Sequence, residues 1–444
     1  MTATPVDEPR RGRAGGPGGG GPAAPPVAPP VDDRRLDALR AMCDPPADEL
    51  AERLRRGHEG IDEREVVRLV LRALVDGPPD DDGPLKEWMC DGPPLPPWAD
   101  AARIARGQAF FADWALPISA LLYCASLPSA YAAADGVQVL ALTSDLATKD
   151  LTRRIAETGQ MVIDVMDVGH PASGTLAPGG QGYLTVRGVR LLHAVVRQAI
   201  LTSPDVSHTC DESVARRWCP EWGQPVNQED LLGTLLTFTV SVFHGLDRLG
   251  VPYDPAAAGD YLHAWCVVGA LLGIDGSLLP LDRDGAEALA ETIARRHHRS
   301  SDAGRRLMDA LLADMEHAMP RGLRGVPRTL VRQVVTPSVV ESLDLPPAAW
   351  WGRGLDLLRR LGPLAGRVPG VRRAMQAPSE LVGRSMMRYF VDRSMLGLQA
   401  PFRLDAAAAA QLSLATSARR RQRRHRRIQA RARHAHAHTA GGAR

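Results

Sequence analysis

Through most of this 444-residue chain apolar side chains return every three or four positions, and they never alternate over more than a few residues. Val189, Leu192, Val196 and Ile200 show the pattern most clearly. That spacing places one apolar stripe along one helix face and leaves no period-two signal for strands. His193 stands beside the stripe, with Arg190 three residues before it and Arg197 four after, so all three share a side of the helix. Two readings fit. In one, a core histidine is flanked by arginines whose tips reach water. In the other, the imidazole binds iron and the arginines hold the carboxylates of a planar, iron-containing ligand.

The same helical spacing recurs along the chain. It predicts helices over 34–56 (broken at Pro45-Pro46), 63–75, 100–114, 137–142, 149–166, 189–201, 227–249, 255–272, 284–299, 305–319, 330–335, 355–361 and 380–396. Aromatic residues make up only 5% of a chain that is 44% hydrophobic, and Ala and Leu take their place, which favours an all-α fold. The uncharged run 114–134 is just long enough to cross a bilayer. Pro117 and Pro128 interrupt it, so it reads as buried helix lining an interior space. Gly179-Gly180-Gln181-Gly182 reads as a turn, because no strand precedes it as a nucleotide loop would require. Asn227 caps a helix start, with Glu229 and Asp230 at the positive end of its dipole.

Four regions follow. Residues 1–32 are Gly/Pro-rich and expected to be disordered; 33–99 form an N-terminal helical extension; 100–400 form the main all-α domain; 401–444 hold a helix end and an Arg/His-rich disordered tail. Ten arginines lie between 419 and 444, and removing them from the formal +3 leaves the rest of the chain at −7. The basic character therefore belongs to the tail, and no specific nucleic-acid partner is expected. Six scattered cysteines with no CxxC pair do not build a disulfide scaffold, and His208, Cys210 and Cys219 form a zinc candidate only at an unusual spacing. Arg10-Arg11 is not followed by an apolar segment, so a cytoplasmic protein is expected, without a transmembrane span and with peripheral membrane contact still compatible.

A second constellation lies on 149–166. Arg154 and Thr158 are one turn apart on one face, with Glu157 beside them and Ile155, Val162 and Met166 along the adjoining seam. Buried charges of this kind need partners; a surface salt-bridged helix is the alternative. Taken in order, Arg154-Ile-Ala-Glu-Thr158, Val189-Arg-Leu-Leu-His193-Ala-Val-Val-Arg197, Trp222-Gly-Gln-Pro-Val-Asn-Gln-Glu-Asp230 and Tyr261-Leu-His-Ala-Trp265-Cys-Val-Val-Gly269-Ala-Leu-Leu-Gly273 resemble the rubber-oxygenase and MpaB-type oxygenase family over about residues 100–400.

The resemblance implies a globin-like all-α core carrying haem b, with His193 as the proximal iron ligand. It implies haem-pocket roles for Arg154 and Thr158, and Arg190 and Arg197 join them as candidate cofactor-binding residues. Glu157 stands where latex-clearing enzymes carry a lysine, so it is a candidate catalytic acid or base beside dioxygen, together with Arg154 and Thr158, or an ion-pair partner of Arg154. The family's distal catalytic glutamate has no assigned counterpart. The implied activity is a haem-dependent oxygenase acting with dioxygen on a hydrophobic, alkene-containing small molecule; lack of a secretion signal points to a prenyl or lipid-like compound rather than solid polyisoprene. The alternative is a non-catalytic haem or lipid binder of the same fold.

Overall fold

The computed structural model describes residues 32–347 apart from 58–62, 81, 144–147, 168–174, 203–217, 281 and 320. The expected terminal tails, the helices at 355–361 and 380–396, and His208 and Cys210 fall outside the described residues. Among the described residues the chain is helical with no strand; Ala133 and His298 make one isolated bridge.

The N-terminal part comprises α1 (Asp33–Arg40), α2 (Pro45–Arg56), α3 (Glu63–Asp76) and α4 (Pro84–Cys90). Pro45-Pro46 does not merely interrupt a helix. It opens a new one, where a missing N–H costs nothing, with Asp44 at the N-cap. Next come α5 (Ala101–Asp113), α6 (Ala115–Leu121), one π-turn (Leu122–Ser126), α7 (Leu127–Tyr131), α8 (Val137–Thr143) and α9 (Thr148–Val165). Segment 114–131 is thus several short helices, and Pro128 lies just past the widened π-turn. No single described helix is long and apolar enough to cross a membrane; the pair Ala101–Asp113 and Ala115–Tyr131 has that length and composition together but bends by 85°.

The remaining elements are α10 (Gln181–Leu201), α11 (Gln228–Leu249), α12 (Pro255–Leu271), α13 (Arg283–His297), α14 (Asp302–Ala318), α15 (Val326–Val334) and α16 (Pro337–Ser342). Helix α10 starts eight residues before the sequence-based boundary at 189. Gly180 is its N-cap, and Gly188 continues the helix because a side chain there would strike Leu74 of α3, at 2.4 Å from Cδ2. Asn227 caps α11 through its side chain, which accepts from the Asp230 N–H, and Gly250 closes it in the left-handed conformation.

Two hydrophobic cores hold these elements together. The larger is built around α5, α11 and α12, where Phe110 and Tyr261 lie 5.5 Å apart and Phe238 stacks on Trp265 at 4.5 Å. Gly107 lets α5 press on α12: an added Cβ would sit 2.5 Å from the Asp260 carbonyl oxygen. The smaller core joins α2, α3 and α4 to Leu191, Ala194 and Val195 of α10. Helix α10 is therefore wedged between the N-terminal helices and the main body, and each of its faces has a different task.

Candidate active site

The stripe Val189–Leu192–Val196 is only half-buried: Val189 touches the edge of the larger core and Leu192 that of the smaller. Together with His193 it forms a wall of an interior cavity of about 870 Å³, while Leu191, Ala194 and Val195 on the opposite face carry the packing. A cavity of that size falls in the ~300–1,000 Å³ range of ligand and cofactor sites. The facing walls come from α9 (Arg154, Glu157, Thr158), from the 114–131 segment (Leu122, Tyr123, Ser126) and from α11 (Leu231, Phe238). The apolar run therefore lines an interior space, as its composition implied.

His193 is enclosed and its Nδ1 has no hydrogen-bond partner. Burial pushes its imidazole down to about 4, the nearby Arg197 charge adds to this, and Asp44 opposes it. The ring is neutral at physiological pH, the state in which imidazole binds a metal.

Arg154, Glu157 and Thr158 reach the same cavity. Arg154 donates from Nη1 to the Leu140 carbonyl at 3.2 Å and from Nη2 to Thr143 Oγ1 at 2.5 Å, tying α9 to α8. Arg190 and Arg197 do not join them. Arg190 makes two bonds to the Asp44 carboxylate, at 2.5 and 2.6 Å, and lies over the Trp88 ring at 5.4 Å. Arg197 pairs with Asp48 and donates to the Pro225 and Val226 carbonyls, both at 2.8 Å. Both were expected to face ligand carboxylates; instead they fasten α10 to the start of α2 and to the loop before α11. The spacing put all three residues on one side correctly. It could not show that acidic partners some 150 positions earlier would take up the arginines. Among the described residues Arg154 is the one arginine that lines the cavity, and no lysine does.

Sequence reasoning missed a second group at the cavity. Glu229, Asp230 and His297 line it from α11 and α13. Glu229 is fully buried and meets His297 Nε2 at 3.0 Å, Arg296 at 2.8 Å and Arg40 at 3.3 Å. Asp230 accepts from Arg40 Nη1 at 3.2 Å and from Asn227 Nδ2 at 2.7 Å. Asp135 completes the cluster, 3.7 Å from His297 and 3.8 Å from Arg40, and also pairs with Arg299. The helix-capping pattern at 227–230 was visible in the sequence. Its inward face was not, because the partners sit on α1 and α13.

His263, within the Tyr261–Trp265 motif, does not line the cavity; its Nε2 accepts the Asp100 N–H at 3.0 Å and so fixes the start of α5. Cys219 is disulfide-bonded and offers no thiolate to zinc. Among the described residues no cluster of three metal-ligating side chains occurs. A porphyrin-bound iron needs only one protein ligand, and His193 is of the right kind.

An all-α bundle enclosing an apolar cavity with one neutral, unpartnered histidine in its wall defines the class. The chain belongs to the family described as ER-bound oxygenase mpaB/B'/Rubber oxygenase, catalytic domain, whose profile matches residues 108–367. The rubber oxygenase of Streptomyces sp. (strain K30) is 27% identical over 266 residues, 57% of this chain and 58% of that protein, so the chain spans somewhat more than half of this curated relative. The solved structure of latex clearing protein in its closed state shares the fold, with a TM-score of 0.58 and 22% identity over 80% of this chain and 91% of that one. The resemblance and the all-α fold expected from the four motifs are both borne out.

Proposed function

We propose that this protein is a haem-dependent oxygenase acting on a hydrophobic, alkene-containing small molecule of prenyl or lipid-like character. The observation that carries the reading is His193: a neutral imidazole with an orphaned, buried Nδ1, set in the wall of a largely apolar cavity. An unpaired buried ring nitrogen costs about 1–3 kcal/mol, a cost that a metal bound at that nitrogen would remove. Family membership supplies the chemical context.

The residues present fit a haem at the level of the ligand. His193 would hold the iron, and Arg154, with Thr158 one turn away, would meet a propionate in place of Arg190 and Arg197. When bound, the group would activate dioxygen for cleavage of a carbon–carbon double bond into two carbonyl fragments. The protein's own part is to exclude water and orient the chain. Leu122, Tyr123, Leu231 and Phe238 provide apolar surface for it. Glu157 lines the same space, where its side chain is a candidate acid or base or the ion-pair partner of Arg154.

Expression with a haem precursor tests it. The purified protein should show a Soret band, His193→Ala should lose it, and the wild type should consume oxygen when given a soluble polyprenyl compound. A protein that stays colourless under these conditions would refute haem binding. A red protein that consumes no oxygen with such compounds would be a binder of the same fold.

A further inference from the structure

The cluster at the junction of α1, α11 and α13 contains a carboxyl group unlike the others. Glu229 has no exposed surface and faces cations on three sides. Asp230 keeps 17% of its side chain exposed although it lies deep in the protein, and it lines the cavity, so its open side faces that interior space. Its back is fixed by Asn227 Nδ2 at 2.7 Å and Arg40 Nη1 at 3.2 Å. Gly136 packs flat against it, where an added Cβ would be 3.3 Å from Oδ1. A carboxyl anchored at the back and open to the chamber that His193 also lines has the geometry of an acid–base group.

We propose that Asp230 is the proton-carrying residue of this cavity, with Arg40 and Asn227 as its positioning residues. This rests on the oxygenase reading for the reaction it serves. In the step assigned to it, the carboxyl O–H bond breaks, the proton passes to an oxygen atom that dioxygen contributes to the substrate, and the electron pair stays on Asp230. Arg40, already 3.2 Å away, stabilises the carboxylate so formed. That oxygen returns the proton to the carboxylate as the carbonyl product forms, so Asp230 neither gains nor loses electrons and no further reactant is needed.

The surroundings support a held proton. Burial raises the Asp230 carboxyl above the usual range, Glu229 adds to this, and Arg40 and His297 oppose it. Arg40 is shared among Asp230, Glu229 and Asp135, and donates to the Trp222 carbonyl as well, so its charge is divided. His297 is drawn toward Glu229 and Asp135. Arg296 is directed to Glu229 and Asp37, and Arg299 to Asp135.

Two measurements test this. The infrared difference spectrum between wild type and Asp230→Asn at pH 7, taken without cofactor, should contain a protonated-carboxyl stretch belonging to the wild type. Its absence would mean that Asp230 is ionised and would overturn the proposal whatever the protein catalyses. In haem-loaded protein, Asp230→Asn should lower kcat for oxygen uptake by about 10²- to 10⁴-fold with KM and the Soret band unchanged, and Asp230→Glu should restore part of the rate. A variant with wild-type kcat and pH profile would overturn the catalytic role. A wild type that shows the carboxyl band yet consumes no oxygen would overturn the oxygenase reading and leave the buried proton standing. Unchanged far-ultraviolet circular dichroism separates either effect from misfolding.

Discussion

Arg190 on α10 grips Asp44 at the start of α2 through two bonds, Nε to Oδ2 at 2.5 Å and Nη2 to Oδ1 at 2.6 Å. Asp44 is the N-cap residue of α2 but makes no side-chain cap bond, because the guanidinium holds its carboxylate. The pair is well shielded, with 14% and 5% of the side chains exposed. Removing one partner leaves a buried charge, which costs about 3–5 kcal/mol. Asp44→Ala should therefore lower unfolding stability by about that amount in a urea titration. Replacing both residues with apolar ones should recover much of it, because the desolvation cost disappears with the charges. A loss below about 1 kcal/mol for Asp44→Ala would show that the pair does not hold α10 to the N-terminal helices.

The histidines set the acid side of the stability curve. Burial is the main cause that brings His193, His263 and His298 each down to about 4. Unfolded histidine titrates near 6.5, so between pH 6.5 and 4 the unfolded chain binds protons that the fold refuses. Each group's contribution is complete above about pH 7 and declines as pH falls through that window. His297 is raised by Asp135 and Glu229 against its burial and acts in the opposite sense, so the test must be a difference. Cofactor-free wild type should lose about 2 kcal/mol more than His193→Leu between pH 7.5 and pH 5. Parallel curves for the two proteins would contradict a buried neutral imidazole.

Much of the fold was legible because helix periodicity is local. The starts of α5, α11 and α12 fall within a residue or so of Asp100, Asn227 and Pro255, where capping chemistry marks them. The start of α10 was not legible, since Gly182 and Gly188 read as breakers until Thr175 and Leu74 are seen pressing against them. The site divided in the same way. Arg154, Glu157 and Thr158 share one side of α9 because their geometry is set within a turn, and the family resemblance was what joined that side to His193 of α10. The partners of Arg190 and Arg197, and the inward face of Asp230, were not legible because they depend on Asp44, Asp48 and Arg40, residues of the N-terminal segment that no short-range spacing connects to them.

The contact between α5 and α12 gives a prediction separate from the chemistry. A Cβ at Gly107 would lie 2.5 Å from the Asp260 carbonyl oxygen and 2.9 Å from the Tyr261 Cα, both backbone atoms that cannot rotate away. Alanine gains up to about 1 kcal/mol in helix propensity over glycine; overpacking costs about 1–3 kcal/mol. The clash should win, because the obstacle is the neighbouring backbone. Gly107→Ala should thus lower the thermal midpoint, read by circular dichroism, without altering any absorbance of bound cofactor. A raised midpoint would mean that the two helices separate easily.

Arg154 and Arg197 provide the sharpest comparison at the proposed cofactor site. Both are arginines on helices that wall the cavity, but only Arg154 lines it; Arg197 is committed to Asp48 and to the Pro225 and Val226 carbonyls. If a propionate is held from α9, Arg154→Ala removes a charge-assisted bond of about 1.5–3 kcal/mol, or roughly 10- to 150-fold in haem affinity at 1.4 kcal/mol per tenfold. The lost bonds to Leu140 and Thr143 loosen α9 against α8 as well, so Arg154→Lys serves as the control that retains a positive charge. Arg197→Lys should instead reduce folding stability, because lysine cannot reproduce the fork that reaches a carboxylate and two carbonyls, while haem bound by the folded fraction stays at wild-type level. Haem transfer to an apo-globin acceptor, measured beside urea unfolding, checks both arms. Faster haem loss from Arg197→Lys than from Arg154→Ala would return the propionate role to α10.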